Sequence, residues 1–277
     1  MLPATKALPK EMLPIAGKPL IQYAIDEIAA SGISTVILIV RDHKSLIQSH
    51  FEPDAELGSF LARRGLAAIA DAVNSLKQTL TFHYVEQKEP RGLAHAISCA
   101  RPFLEQEAFA VLLPDVIMAN DDPVTRQLMR AHEQHGGTVV AIREVQREDV
   151  KRHGIVSVKS AVSDSSSSSM RITALVEKPS PEQAPSRYGI FGRYILDPMI
   201  WRFIEVTAPD RSGEVQLTDA LNLLCQTEPL FGLKFKGTHH DAGDRIGYLI
   251  ATLDLSLRDN SLRQPLLEYL AQLRSVN

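Results

Sequence analysis

The sequence is poor in cysteine, and it has neither a long apolar run nor an excess of charge of one sign. Its two cysteines, Cys99 and Cys225, stand far apart in apolar surroundings, so we expect two buried thiols and no disulfide framework. No apolar run approaches the roughly 18 residues that a membrane-spanning helix needs, and the first residues lack a charged and then apolar signal pattern. We therefore expect a cytoplasmic protein that does not bind a membrane.

The charge balance excludes a further class of function. The chain of 277 residues carries 30 Lys and Arg against 33 Asp and Glu, which gives a formal net charge of −3. Proteins that bind nucleic acid normally show a basic patch or stripe, and this sequence has none. Because 44% of the residues are apolar, the chain can form the core of one large α/β domain.

Strand and helix patterns alternate through the first half of the chain. Residues 35–40 are apolar on both faces, as is typical of a buried strand in a parallel sheet. Helical patterns over residues 92–100 and 122–135 separate further short apolar strands. This alternation predicts a Rossmann-like, doubly wound α/β sheet with helices on both faces.

The pattern changes after residue 150. Residues 155–158, 171–176 and 188–196 are predicted strands with little helix between them, which favours a mixed sheet with a small β extension. Residues 246–257 and 261–273 show helical periodicity and predict a C-terminal helical tail.

Polar residues follow two of the predicted strands, at the ends where ligands bind in open parallel sheets. Asp115 comes after the strand over residues 109–113, and its carboxylate is either a Mg²⁺ ligand or the cap of the next turn. Glu177 and Lys178 end another strand and precede Pro179. This pair either contacts sugar hydroxyls and a phosphate or forms an ordinary exposed turn.

Three further segments carry candidate residues. Lys10, in a loop rich in proline, either binds phosphate as a point charge or is simply solvated. Gly92 opens a helix whose backbone amides could bind an anion, although glycine is also frequent at helix starts. His239 and His240 precede Asp241, but adjacent side chains on an extended segment point in opposite directions, so they are not expected to share a metal ion. These patterns indicate a phosphate and Mg²⁺ site and do not name a substrate.

The opening segment, Leu2-Pro-Ala-Thr-Lys-Ala-Leu-Pro-Lys-Glu-Met-Leu-Pro-Ile15, resembles the signature of bacterial UTP–glucose-1-phosphate uridylyltransferases. The resemblance covers nearly the whole chain, because later motifs agree in order. They are Gln87 with Gly92-Leu-Ala-His-Ala96, Leu112-Leu-Pro-Asp115, Val176-Glu-Lys-Pro179, Gly192-Arg-Tyr194, Glu214-Val-Gln-Leu-Thr-Asp219, and Asp241-Ala-Gly243 with Gly247-Tyr248.

The resemblance implies a reaction and its partners. A phosphate oxygen of glucose 1-phosphate attacks the α-phosphorus of UTP, and UDP-glucose and pyrophosphate form without a covalent enzyme intermediate. Catalysis of this kind consists of positioning and of charge stabilisation by Mg²⁺ and lysines. Self-association into a homo-oligomer is also implied.

Roles for single residues follow from the resemblance in the first part of the chain, where residues 1–150 would form the nucleotide-binding half. Lys10 would bind the phosphate region as a catalytic residue. Gln87 and Gly92 would contact the uracil. Asp115 would hold Mg²⁺, with Asp241 as a second carboxylate beside it.

Residues 151–243 would form the sugar-phosphate-binding half, and residues 244–277 the helical tail of the same single domain. Gly154, Glu177 and Gly192 would line the glucose site. Lys178 would contact the phosphate of the sugar as a second catalytic residue.

Two departures from the family pattern matter. The family places a strand and a Gly-rich turn ending in Gly-Thr-Arg before the position of Met1. We therefore expect a misplaced start or a truncated gene, with impaired activity, since one such hydrogen-bond donor contributes roughly 10²–10³ in rate. Ala94 stands where the family usually has glycine, and we expect a modest effect of its methyl group near the uracil.

Two other functions stay open at this point. A related nucleotidyltransferase would use dTTP or another sugar 1-phosphate. A non-catalytic paralogue would bind UDP-glucose or regulate a partner enzyme.

Overall fold

The computed structural model describes residues 1–41, 46–74, 79–104, 106–159 and 168–276. The chain begins with two 3-10 helices, Ala4–Lys6 and Lys10–Met12. A tight hairpin follows, in which β1 (Pro14–Ile15) pairs with β2 (Lys18–Pro19). Gly17 adopts a φ of +83° in this turn, a conformation that costs glycine little.

The first helix, α1 (Leu20–Ala30), begins after Pro19 and ends before Gly32. Its residues Ile21 and Ile25 pack with Val36 of β3 (Thr35–Val40) in one apolar cluster. In the described part of the next stretch lie α2 (Leu46–Phe51), α3 (Ala55–Arg63) and α4 (Ala67–Asn74). Strand β4 (Thr81–Glu86) pairs with β3 in parallel over its full length, and α5 (Leu93–Ala100) follows it.

The remaining strands form a six-stranded main sheet and a separate two-stranded ribbon. They are β5 (Phe109–Leu112), β6 (Val116–Ala119), β7 (Thr138–Glu144), β8 (Gly154–Lys159), β9 (Ser169–Glu177), β10 (Tyr188–Leu196), β11 (Leu230–Lys234) and β12 (Thr238–Asp241). The main sheet has the order β5-β10-β7-β11-β9-β8, and β10 also pairs with β8. Within this sheet β7 is parallel to β11, and the other described pairings are antiparallel. The predicted mixed α/β sheet is therefore confirmed.

Helices cover both faces of the main sheet, as predicted. Successive residues of a strand point to opposite faces, and β7 shows this directly. Val139 and Ala141 pack under α6 (Val124–His135), whereas Val140 and Ile142 belong to the cluster on the other face. That second face is covered by α5, α7 (Ile200–Val206) and α8 (Leu217–Leu224).

The two-stranded ribbon joins β12 to β6 in antiparallel register, so that Asp241 lies opposite Val116. The predicted extended conformation of His239 and His240 is confirmed, since both belong to β12. The ribbon sets the last strand of the chain beside the turn that follows β5.

The C-terminal tail consists of two helices, α9 (Arg245–Arg258) and α10 (Asn260–Val276). The side chain of Asp244 accepts a hydrogen bond from the Gly247 amide at 2.8 Å and caps α9. Among the described residues, no helix is both long and apolar enough to cross a membrane. Of the two cysteines, Cys225 is buried as predicted, but Cys99 is only partly buried, because its face of α5 is not fully covered.

Candidate active site

Asp115 and Asp241 come together although they lie far apart in the sequence. Asp115 belongs to the turn between β5 and β6, and its carbonyl oxygen accepts a hydrogen bond from the Ala242 amide at 2.8 Å. A Cβ placed on Gly243 would lie 2.9 Å from Asp241 Oδ1 and 3.3 Å from Asp115 Oδ2. The two carboxylates therefore converge on a space that only glycine leaves open.

Lys10 completes this group. Its Nζ lies 2.7 Å from Asp115 Oδ2, and both side chains are partly exposed. Burial alone would lower the pKa of Lys10, but the charge of Asp115 and its hydrogen bond outweigh burial and raise that pKa. The structure thus places a permanent positive charge beside two carboxylates at the carboxyl end of β5.

The donor set fits a Mg²⁺ ion. Within the described ranges of the chain, no cluster of three or more His, Cys, Asp or Glu side chains could hold a metal ion. Mg²⁺ does not require such a cluster, because it typically binds one or two carboxylates together with waters and the phosphates of a substrate. Asp115 and Asp241, whose carboxylates both lie close to Gly243, match this pattern.

A buried arginine holds the turn that carries Asp115. Arg193 has 1% of its surface exposed. Its Nη1 donates to the carbonyl oxygens of Leu113 at 2.9 Å and of Gly192 at 3.2 Å, and its Nη2 donates to the carbonyl oxygen of Val116 at 2.8 Å. One guanidinium therefore fixes the backbone on both sides of Asp115.

The charge of Arg193 is balanced by Glu27 of α1. Glu27 Oε2 accepts hydrogen bonds from Nη2 at 2.8 Å and from Nε at 3.0 Å. The other oxygen, Oε1, accepts from the hydroxyl of Thr125 at 2.7 Å and from its amide at 2.9 Å. The carboxylate thus has four donors, which is how a buried ion pair offsets the loss of water.

Glu177 and Gly154 form a second group, on the paired strands β8 and β9. The two residues face each other in the strand register. Glu177 Oε2 accepts a hydrogen bond from Thr218 Oγ1 at 2.6 Å. A Cβ on Gly154 would lie 2.9 Å from Thr218 Oγ1 and 3.1 Å from Glu177 Oε2, so a larger residue would press on this carboxylate.

Lys178 adopts a φ of +42°, in the left-handed region that non-glycine residues rarely occupy. Its amide donates to the carbonyl oxygen of His153 at 3.1 Å. Its exposed Nζ lies 3.5 Å from Glu177 Oε1. Residues with such strained backbones are frequent at functional sites.

Gly192 lies against the Asp115 turn. Its φ is +54°, and a Cβ there would lie 3.0 Å from the Cβ of Leu113. Its carbonyl oxygen accepts from the Leu113 amide at 2.9 Å. Tyr194, on the same strand, is buried. Burial first, and then the charges of Glu177 and Asp115, raise the pKa of its hydroxyl.

Gln87 and Gly92 form a third group. Gln87 directly follows β4, and its Nε2 lies 3.3 Å from the Gly92 carbonyl oxygen and 2.9 Å from His95 Nδ1. Gly92 has a φ of +92°, and a Cβ there would lie 2.7 Å from the Val215 carbonyl oxygen. The close approach of this backbone to Val215, in the segment before α8, therefore requires glycine.

Sequence reasoning found none of the supporting side chains. Arg193, His95 and Thr218 lie inside the motifs Gly192-Arg-Tyr194, Gly92-Leu-Ala-His-Ala96 and Glu214-Val-Gln-Leu-Thr-Asp219, but spacing gave them no role. Glu27 carried no signal, because a glutamate within an amphipathic helix is ordinarily solvated.

Comparisons with known proteins identify the family of this chain. A family model described as nucleotidyl transferase matches residues 1–256. The chain is 40% identical over 269 residues to the UTP–glucose-1-phosphate uridylyltransferase YngB of Bacillus subtilis (strain 168), with 97% of this chain and 89% of that protein covered.

Solved structures of similar fold belong to enzymes of the same kind. A UDP-glucose pyrophosphorylase complexed with UDP-glucose is similar with a TM-score of 0.83 and 32% identity, over 94% of each chain. A UTP-bound UGPase from Acinetobacter baumannii is similar with a TM-score of 0.88 and 28% identity, over 98% of this chain and 94% of the other. The chain therefore belongs to the nucleotidyl transferase family, as its resemblance to UTP–glucose-1-phosphate uridylyltransferases led us to expect.

Proposed function

We propose that this protein transfers the uridylyl group of UTP to glucose 1-phosphate and forms UDP-glucose and pyrophosphate. One observation carries the proposal: Lys10 and the carboxylates of Asp115 and Asp241 converge beside Gly243 at the carboxyl end of β5. Nucleotidyl transfer depends on positioning and on neutralising phosphate charge. The names of the relatives and the UTP and UDP-glucose of the solved structures support this choice of substrates.

The reaction needs no protein nucleophile. A phosphate oxygen of glucose 1-phosphate forms a bond to the α-phosphorus of UTP, and pyrophosphate leaves with the electron pair of the broken bond. Mg²⁺, held by Asp115 and Asp241, would neutralise charge on the phosphate oxygens. Lys10 has three N–H donors, so it can bind a phosphate oxygen while it still contacts Asp115.

The Glu177 group supplies the sugar site. Thr218 uses only part of the capacity of Glu177, and the remaining lone pairs of the carboxylate can accept sugar hydroxyls. Gly154 faces Glu177 in the strand register, and its lack of a side chain keeps this carboxylate uncrowded. Lys178, with its exposed ammonium, binds the phosphate of the sugar, and Gly192 supports the wall of the site next to the Asp115 turn.

Gln87 and Gly92 bind the uracil, which assigns residues 1–150 to the nucleotide and residues 151–243 to the sugar phosphate. The parallel pair β3–β4 supports this division. The Gln87 amide donates to the Val40 carbonyl oxygen at 2.8 Å, so the base site lies where both strands end, as in other nucleotide-binding sheets.

Release of pyrophosphate from UTP, Mg²⁺ and glucose 1-phosphate tests the proposal. The wild-type protein and Asp122→Asn, whose carboxylate pairs with Arg130 on the surface, should release pyrophosphate at similar rates. Asp115→Asn should lose roughly 10²-fold or more in rate, because its carboxylate stabilises transition-state charge. Equal rates for Asp115→Asn and Asp122→Asn would contradict the assignment of the site.

A further inference from the structure

The side chain of Gln87 is held by two partners that fix the direction of its amide. Nε2 lies 3.3 Å from the carbonyl oxygen of Gly92 and 2.9 Å from Nδ1 of His95. An amide group in isolation can turn over by 180° and exchange its donor for its acceptor at little cost. These two contacts therefore decide whether Oε1 or Nε2 of Gln87 faces the ligand.

The chemistry of the partners determines the orientation. A backbone carbonyl oxygen can only accept a hydrogen bond, so the atom of Gln87 that faces Gly92 must be the NH₂ group. The second hydrogen of that group then points to His95, whose Nδ1 must accept it. Because a neutral imidazole has one donor and one acceptor nitrogen, the proton of His95 resides on Nε2.

Backbone hydrogen bonds tie the segment that carries both partners to the segment before α8. Gly92 and His95 flank the start of α5, where the Ala94 amide donates to the Val215 carbonyl oxygen at 3.1 Å. The Val215 amide in turn donates to the Arg91 carbonyl oxygen at 2.8 Å. The segment before α8 thus holds both acceptors in place, and the Gln87 amide directs Oε1 away from them.

We propose that His95 is a positioning residue that sets base selectivity, by holding Gln87 with its acceptor oxygen toward the base. This inference rests on the proposed function, in which Gln87 binds the pyrimidine. Uracil carries an N3–H donor that matches an acceptor, whereas the N3 atom of cytosine is itself an acceptor and would face Oε1 with no hydrogen between them. Selection of uridine over cytidine nucleotides then depends on the acceptor nitrogen of His95.

Two nearly isosteric substitutions separate this role from a structural one. In His95→Asn, the asparagine Oδ1 is as many bonds from Cα as the histidine Nδ1 was. It can still accept a hydrogen bond from the Gln87 amide. In His95→Leu, a methyl group takes that place and accepts nothing, so the amide is held only by the longer contact with Gly92. Both variants shorten the side chain in the same way.

The measurement is the ratio of the dissociation constants for CTP and UTP, obtained by calorimetry. We expect His95→Leu to lower this ratio by roughly tenfold to a hundredfold, the discrimination that a well-placed hydrogen-bonding pair gives, whereas His95→Asn should keep most of it. A purely structural role would weaken both nucleotides alike. An unchanged ratio in His95→Leu, or an equal fall in both variants, would overturn the proposal.

A second readout does not need a ligand. Nitrogen-15 NMR of the imidazole, assigned by the loss of its signals in His95→Asn, should show a protonated Nε2 and an unprotonated Nδ1 in the free protein. A proton on Nδ1 would contradict the inference even in an active enzyme. A protein that prefers UTP through His95 but forms no UDP-glucose would contradict the proposed reaction and support the selectivity.

Discussion

Replacing Glu27 by glutamine should destabilise the protein far more than removing one charged side chain from the surface would. The side chains of Glu27 and Arg193 are 4% and 1% exposed, so the charge of Arg193 would remain buried without its partner. Removing one member of a buried ion pair typically costs about 3–5 kcal/mol. The glutamine NH₂ would also face either the donors of Arg193 or the two donors of Thr125, so one set of hydrogen bonds is lost in either orientation.

Urea unfolding followed by circular dichroism measures this loss. Glu27→Gln should lower the free energy of unfolding by about 4 kcal/mol, and the melting temperature should fall by roughly 6–20 °C. Asp122→Asn is the matched control, because it breaks the pair with Arg130, in which both side chains are at least half exposed. Exposed pairs contribute about 0–1 kcal/mol. A loss below about 1 kcal/mol in Glu27→Gln would refute the view that this pair anchors the Asp115 turn.

Three further predictions concern the site and the fold. Lys10→Met should lower the rate of pyrophosphate release by roughly 10²–10³ with little change in the urea midpoint, since 40% of the side chain is exposed; a rate close to wild type would contradict its role. Gly154→Ala should raise the KM for glucose 1-phosphate more than the KM for UTP, because the new Cβ presses on Glu177, and equal changes in both constants would argue against a sugar site there. Burial lowers the pKa of His50 in the folded protein, so its contribution to stability is complete above its unfolded pKa of about 6.5 and is lost as the pH falls through the folded pKa. Urea midpoints at about pH 7.5 and about pH 5.5 should therefore differ less in His50→Gln than in wild type, and an equal difference would show that His50 does not carry this effect.

Elements could be predicted from the sequence where the pattern of apolar residues matches the burial of the element in the structure. Residues 35–40 are apolar on both faces, and they form a strand of the parallel pair β3–β4. Helices α2, α3 and α4 were not predicted. Helix α3 has no buried residue and exposes Leu57 and Phe60, so its apolar residues do not report burial in the core.

The candidate residues could be predicted, but their supports could not. Resemblance to a family located Asp115, whereas the contact between Glu27 and Arg193 joins residues 166 positions apart. The two residues each look like ordinary surface charges in the sequence. Only the three-dimensional structure shows that Glu27 of α1 and Arg193 of β10 form one buried pair beside the Asp115 turn.

The central claim is tested most directly by phosphorus-31 NMR of the wild-type protein with UTP, glucose 1-phosphate and Mg²⁺. We expect the signals of UTP and the sugar phosphate to decrease together while those of UDP-glucose and pyrophosphate increase in equal amounts. Unchanged spectra, or loss of UTP without consumption of glucose 1-phosphate, would contradict it.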